Sequence, residues 1–224
     1  MKPKLVSRYA ESIAPVPTRP MPGVELREPA LAEFTEAFEP ATDLWPWVQS
    51  TFLDDKSALF NAEHIHLRQA HVGVLWTNVG NARNMRRIVG QAEMPMARGG
   101  KWAKARHDLQ LREWFGSVPD FVITLFAPYA AEAEDASFCA LVEHEMLHCA
   151  QARNAYGVPR FSQSTGRPIF GIRGHDVEEF TAIVRRYGAR AAGVEEMIAA
   201  AATKPLIDGA KIAGVCGTCI ARAA

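Results

Sequence analysis

His144-Glu145-Met146-Leu147-His148 constrains this chain more than any other stretch. It is an H-E-x-x-H segment inside a run of good helix formers with no breaker. On a helix, positions i and i+4 lie on one face. His144 and His148 can then aim their ring nitrogens at one metal ion, with Glu145 beside the place a water would take. A zinc-dependent hydrolase needs that arrangement. The same five letters arise by chance in roughly one chain per hundred of this length, as two surface histidines on a helix. Three features set this chain apart: an independently expected helix, a strand before it, and a His-Glu cluster after a loop.

The chain has 224 residues, enough for one domain with a real core. Lys plus Arg and Asp plus Glu both number 25, so the formal net charge is zero. That balance argues against bulk nucleic acid or an anionic membrane as the main partner. Two small basic clusters, Arg83, Arg86 and Arg87, and Lys101, Lys104, Arg106 and Arg112, read as solvated faces. Met1 to Pro20 has no apolar leader-like region, and Met197 to Ala202 is too short an apolar run to span a bilayer. The expectation is a cytoplasmic protein with no membrane segment. No disulfide framework is evident among Cys139, Cys149, Cys216 and Cys219.

Three regions are expected. Residues 1–43 carry prolines at 3, 15, 17, 20, 22, 29 and 40 and read as a Pro-rich arm, partly ordered, with one short helix around Ala30 to Phe38. Residues 44–204 form the domain. Residues 205–224 form a tail holding the C-x-x-C of Cys216 and Cys219. Within the domain the pattern predicts a helix over Leu44–Phe60, broken in the middle, then a buried strand over Ala70–Thr77. A second strand over Arg87–Ala92 is expected to pair with it as a hairpin. Trp102–Phe115 reads as a helix ended by Gly116, and Asp120–Phe126 is the clearest strand. The motif helix is expected over Ala130–Asn154, with further helices over Asp176–Gly188 and Gly193–Thr203. The order implies an α+β fold: a small sheet of about three strands packed on helices that include the H-E-x-x-H helix. An exposed sheet edge next to that helix could pair with an extended peptide substrate.

Catalytic zinc usually keeps three protein ligands and leaves the fourth position to water. The third ligand is sought in Gly174-His175-Asp176-Val177-Glu178-Glu179-Phe180, after a glycine-bearing loop. His175 is the first candidate, and Glu178 and Glu179 are its rivals. Both glutamates also fit the first turn of a helix, where they favour its dipole, and Asp176 with Glu179 fits a capping box. Asp176 is also a candidate to hold a ligand ring by hydrogen bonding. Glu145 is the candidate base. Tyr156 and Tyr187 are either oxyanion donors or packing residues. His64 and His66 share a face only if their stretch is extended, and read as a satisfied polar pair rather than a metal site. Cys216-Gly-Thr-Cys219 is half of a zinc ribbon without its other half, and reads as a mobile tail or a thiol pair.

The chain resembles the putative phage metallopeptidase family, which is itself similar to SprT-like zinc proteases. The resemblance covers roughly His66 to Gly188. It rests on the strands Ala70–Thr77 and Asp120–Phe126, on Glu143-His144-Glu145-Met146-Leu147-His148-Cys149, and on His175-Asp176-Val177-Glu178-Glu179-Phe180. In SprT-like proteases a Gly-His pair before a helix supplies the third ligand, and Gly174-His175 matches it. The resemblance implies a minimal zincin-like fold, Zn2+ as cofactor and peptide-bond hydrolysis, in a phage or prophage protein. Of the four-cysteine ribbon common in SprT-like proteins, only Cys216 and Cys219 are present. Two other functions compete with a peptidase. One is a non-catalytic zinc-stabilised domain that binds nucleic acid or a virion component. The other is a zinc hydrolase acting on a non-peptide amide. A substrate sequence and an oligomeric state do not follow from these residues.

Overall fold

The computed structural model describes residues 18–27, 36–83, 86–177, 181–212 and 216–217. The fold is α+β, built on a mixed four-stranded sheet. Along the chain come α1 (Val24–Arg27), β1 (Phe38–Pro40) and α2 (Leu44–Val48). A π-helical turn over Gln49–Leu53 and a 3-10 helix over Ala62–Gln69 lead to β2 (Val72–Thr77). Next are β3 (Asn81–Arg83), β4 (Arg86–Ile88), β5 (Gly90–Glu93), α3 (Lys101–Phe115) and β6 (Phe121–Phe126). Then follow α4 (Ala127–Glu132), α5 (Asp135–His148), β7 (Cys149–Gln151), β8 (Phe170–Ile172), α6 (Thr181–Tyr187) and α7 (Glu195–Ala201). No described helix is long and apolar enough to cross a membrane.

The sheet runs β1-β2-β6-β5. Its central pair, β2 and β6, is parallel from Val72↔Phe121 to Thr77↔Phe126. Both strands read as nearly continuous apolar runs because both faces are covered, as central parallel strands require. On one face Leu75 and Val122 meet Leu111, Trp114 and Phe115 of α3. On the other, Val74, Trp76, Phe121, Ile123 and Leu125 join Phe138, Leu141, Val142 and Met146 of α5 in the main core. That second contact seats the motif helix on the sheet.

The expected hairpin between Ala70–Thr77 and Arg87–Ala92 is not formed. β1 and β6 already occupy both edges of β2, so the later segment pairs elsewhere. Its first part closes a small ribbon with β3, and its second part, β5, lies antiparallel on β6 from Gly90↔Leu125 to Glu93↔Val122. The small sheet therefore has four strands, and β5 is its edge beside α5.

The motif helix is shorter than expected and split. A break at Ala133 and Glu134 separates α4 from α5, and α5 stops at His148 instead of Asn154. Tertiary pairing overrides helix propensity there. Cys149–Gln151 pairs with Phe170–Ile172, and the Arg173 amide donates to the His148 carbonyl at 3.0 Å. A helix end leaves its last carbonyls without intrahelical donors, and this bond satisfies one of them.

His64 and His66 lie on a 3-10 helix rather than an extended stretch, so they point apart. His64 is fully buried, 3.5 Å from a Glu143 oxygen, and the His66 Nε2–H donates to the Cys149 carbonyl at 2.7 Å. Asn61 caps that segment and also donates to Glu143 at 2.8 Å, tying it to α5. Of the Pro-rich arm, Phe38 opens β1 and most of the expected Ala30–Phe38 helix lies outside the described residues. Leu26 is buried, and the buried Arg19 pairs with Asp135 at 2.9 Å and stacks over Phe138. In the tail, Ile207 and Ile212 pack on the core and the Lys211 amide donates to Ser137 Oγ.

Candidate metal centre

Helix α5 puts His144 and His148 one turn apart, and the β7–β8 ribbon brings the chain back so that His175 reaches them. The Nε2 atoms of His144 and His148 are 3.3 Å apart, and those of His144 and His175 3.0 Å apart. A fourth donor joins them from the tail: Cys216 Sγ lies 3.2 Å from His148 Nε2. All four donor atoms fall within 4.8 Å of one another. Zinc bonds of about 2.0–2.1 Å to nitrogen and 2.3 Å to sulfur give tetrahedral edges of roughly 3.3 Å (N to N) and 3.6 Å (N to S). The three measured edges sit close to those values. Three imidazoles and one thiol at this spacing could hold a zinc-like ion.

The electrostatics agree with that use. Burial, followed by the neighbouring His148 and His175, pulls His144 down to about 4, so its ring stays neutral near pH 7. Neutral imidazole is the form a metal requires. His148 Nδ1 is 2.7 Å from the Arg173 carbonyl. A carbonyl can only accept, so Nδ1 carries the proton and Nε2 presents its lone pair to the cluster. The Arg173 carbonyl thus orients the His148 ring. The Asp176 carboxylate is paired instead with the Arg173 guanidinium, bracing the loop that carries His175. Glu178 and Glu179, the rival ligands, lie outside the described residues.

Glu145 is fully buried. A buried carboxylate is costly unless positive charge or hydrogen bonds compensate it. An ion held by the adjacent histidines would supply charge there. Space for the side chain comes from Gly90 on β5. A Cβ at Gly90 would stand 2.9 Å from both Glu145 Oε1 and Leu141 Cδ1. The sheet edge can lie this close to α5 only because residue 90 has no side chain. Glu143, two residues earlier on α5, is pushed up by burial, but His64 at 3.5 Å and the hydrogen bond from Asn61 outweigh this and leave it below the usual carboxylate range.

A cleft of about 410 Å3 opens over the cluster, walled by Glu63, His144, Leu147, His148, Arg173 and His175 among others. It shares Glu63, Leu147 and Arg173 with a larger hollow of about 980 Å3 running along β7 and β8. Tyr156 and Tyr187 are 90% and 61% exposed, and neither is among the described residues lining the cleft. His64 and His66 are likewise outside the cluster.

Three residues of the site escaped the sequence reading. The Arg173 carbonyl has no signature, because any residue has one. Gly90 stood in an apolar stretch with nothing to mark what it faces. Along the sequence Cys216 and Cys219 form a local pair, whereas the partners of Cys216 in the cluster are 41 and more residues upstream. Cys219 itself is outside the described residues.

Neither a curated protein nor a solved structure matches the chain. A family model described as putative phage metallopeptidase matches residues 45–202, which span α2 to α7 and include His144, Glu145, His148 and His175. That match covers more than half of the sequence, and the chain belongs to the putative phage metallopeptidase family.

Proposed function

We propose that this protein is a zinc peptidase in which His144, His148 and His175 hold the metal and Glu145 is the general base. The convergence of three imidazole nitrogens beside a fully buried glutamate carries this reading. Zinc, when bound, supplies a Lewis acid for the substrate carbonyl and makes water acidic enough to ionise near neutrality. Glu145 accepts the proton of the attacking water on a carboxylate oxygen and returns it to the leaving amine. The Arg173 carbonyl keeps His148 in one tautomer throughout. The edge of β5 offers backbone groups to an extended peptide, and the joined hollows beside the cluster give its side chains room. Phage encoding accords with the family, and a SprT-like, zincin-type mechanism is part of the same proposal.

One observation favours a second reading. Cys216 completes a set of four protein donors, and closed four-donor sites are typical of structural zinc. Glu145 weighs against a purely structural centre, which has no use for a buried carboxylate next to its ligands.

Purified full-length protein is expected to contain about one zinc per chain. Glu145→Gln is expected to keep the metal and to abolish hydrolysis of an unstructured protein such as casein, with Cys216→Ala as the parent for both measurements. A metal-free, fully folded protein sinks the proposal. Hydrolysis retained in the Gln variant removes Glu145 from the base role.

A further inference from the structure

We infer that Cys216 is a displaceable fourth metal ligand and that Cys216–Gly217 occupies the substrate's place on the sheet edge, so that the chain inhibits itself. The inference rests on the peptidase reading above. Two observations meet at Gly90. Its residue forms a parallel bridge with Cys216, and its carbonyl accepts from the Gly217 amide at 2.9 Å. β5 is the outer strand of the sheet, so this bridge takes up backbone groups that an incoming peptide would use. From the same residue the thiol reaches the imidazoles, with Sγ 3.2 Å from His148 Nε2. The tail therefore fills the substrate edge and the fourth donor position in one stroke.

Gly217 shows that the fit is specific. A Cβ there would stand 2.6 Å from Ile88 Cγ2 and 3.1 Å from Gln91 Oε1. Only a residue without a side chain lies this close to β4 and β5. The other described cysteines are poor alternatives as ligands. Cys139 and Cys149 are buried in the core, and neither belongs to the cluster.

The ligand is displaceable because Cys216 and the histidines are anchored differently. His148 is 3% exposed, on a helix, with its ring pinned by Arg173. Cys216 is only partly buried, and it reaches the cluster from an isolated bridge on the outer strand of the sheet rather than from a helix. Release is a ligand exchange with no oxidation. The thiolate leaves with its electron pair and takes a proton from solvent, and water enters the space it vacates. Three histidines remain, the number of protein ligands a catalytic zinc keeps.

The test uses the full chain loaded with cobalt(II) in place of zinc. The wild type is expected to show a near-ultraviolet thiolate-to-cobalt charge-transfer band, and Cys216→Ala to lose it while still binding one metal per chain. Zinc-loaded Cys216→Ala is expected to hydrolyse casein at least about tenfold faster than the wild type, as an opened fourth position allows. Iodoacetamide labelling, mapped by peptide mass, gives a second measure on the unaltered chain. Cys216 should label at least about tenfold more slowly with zinc than after chelation, because a metal-held thiolate is not free as a nucleophile. A metal-loaded wild type without the band, or equal labelling in both states, overturns the inference and leaves the peptidase reading standing. A band in the wild type, with a metal-loaded Cys216→Ala inert toward protein and peptide substrates, overturns the peptidase reading and the self-inhibition with it. The centre would then be a closed structural one.

Discussion

Arg173 and His148 exchange two hydrogen bonds. The Arg173 amide donates to the His148 carbonyl at 3.0 Å, and the Arg173 carbonyl accepts from His148 Nδ1 at 2.7 Å. The first bond ends the motif helix. The second fixes the tautomer of a candidate ligand. Because Arg173 stands two residues before His175, the same clasp delivers the third imidazole to the cluster. The end of α5 and the assembly of the site are thus one structural event.

The third position is tested by removal. His175→Ala is expected to weaken zinc binding by more than about 100-fold, the upper end of what loss of a partner outside the ligand set costs. Competition with a chromophoric chelator measures it. If His175→Ala binds normally while Glu178→Ala or Glu179→Ala does not, the donor set is two histidines and a glutamate.

Gly90→Ala tests the close approach of β5 to Glu145. The added methyl would meet Glu145 and Leu141 at 2.9 Å, so one of them must shift. Overpacking of this kind costs about 1–3 kcal/mol. The expected outcome is a folded, destabilised, metal-binding protein with impaired hydrolysis, read by urea denaturation and by activity in the Cys216→Ala parent. Unchanged stability and rate would show that the carboxylate has room that the structure denies it.

His66 predicts acid sensitivity. Burial lowers it from its ordinary 6.5, helped by the nearby His64 and Arg153, while backbone hydrogen bonds to Cys149 and Glu63 oppose the shift. The folded protein therefore resists protonating His66, and the unfolded chain binds that proton first. The neutral ring's contribution to stability is fully present above pH 6.5 and is lost as pH falls through the lower folded value. His66→Gln keeps a donor for the Cys149 carbonyl but cannot titrate. Between about pH 7.5 and about pH 5, the metal-free variant is expected to lose less stability than the metal-free wild type. Parallel losses would mean that His66 protonates equally easily in both states.

Local information reached far along this chain. The i, i+4 spacing of His144 and His148 is a property of any helix, and helix propensity together with Phe138, Leu141, Val142 and Met146 secured one. β2 and β6 were legible because strands covered on both faces are apolar throughout. Gly116 marked the end of α3, with a positive φ of 78° at the helix terminus. Glu145 and His175 are candidates by residue type and order, and the fold brings His175 to the two histidines.

What the sequence could not decide is where each segment finds its partner. Nothing local tells Cys149 to stop being helical; β8 and Arg173 do so from more than 20 residues away. Nothing in Arg87–Ala92 reveals that β2 has no free edge, so β5 goes to β6 and becomes the rim of the site. Cys216 is paired with Cys219 by spacing along the chain. In the structure its donor atom belongs with three histidines, since a backbone bridge to Gly90 carries it there. Residue types specify the chemistry a side chain can do. Which donors share one ion depends on long-range pairing between edges and helix ends, and that is a property of the folded chain alone.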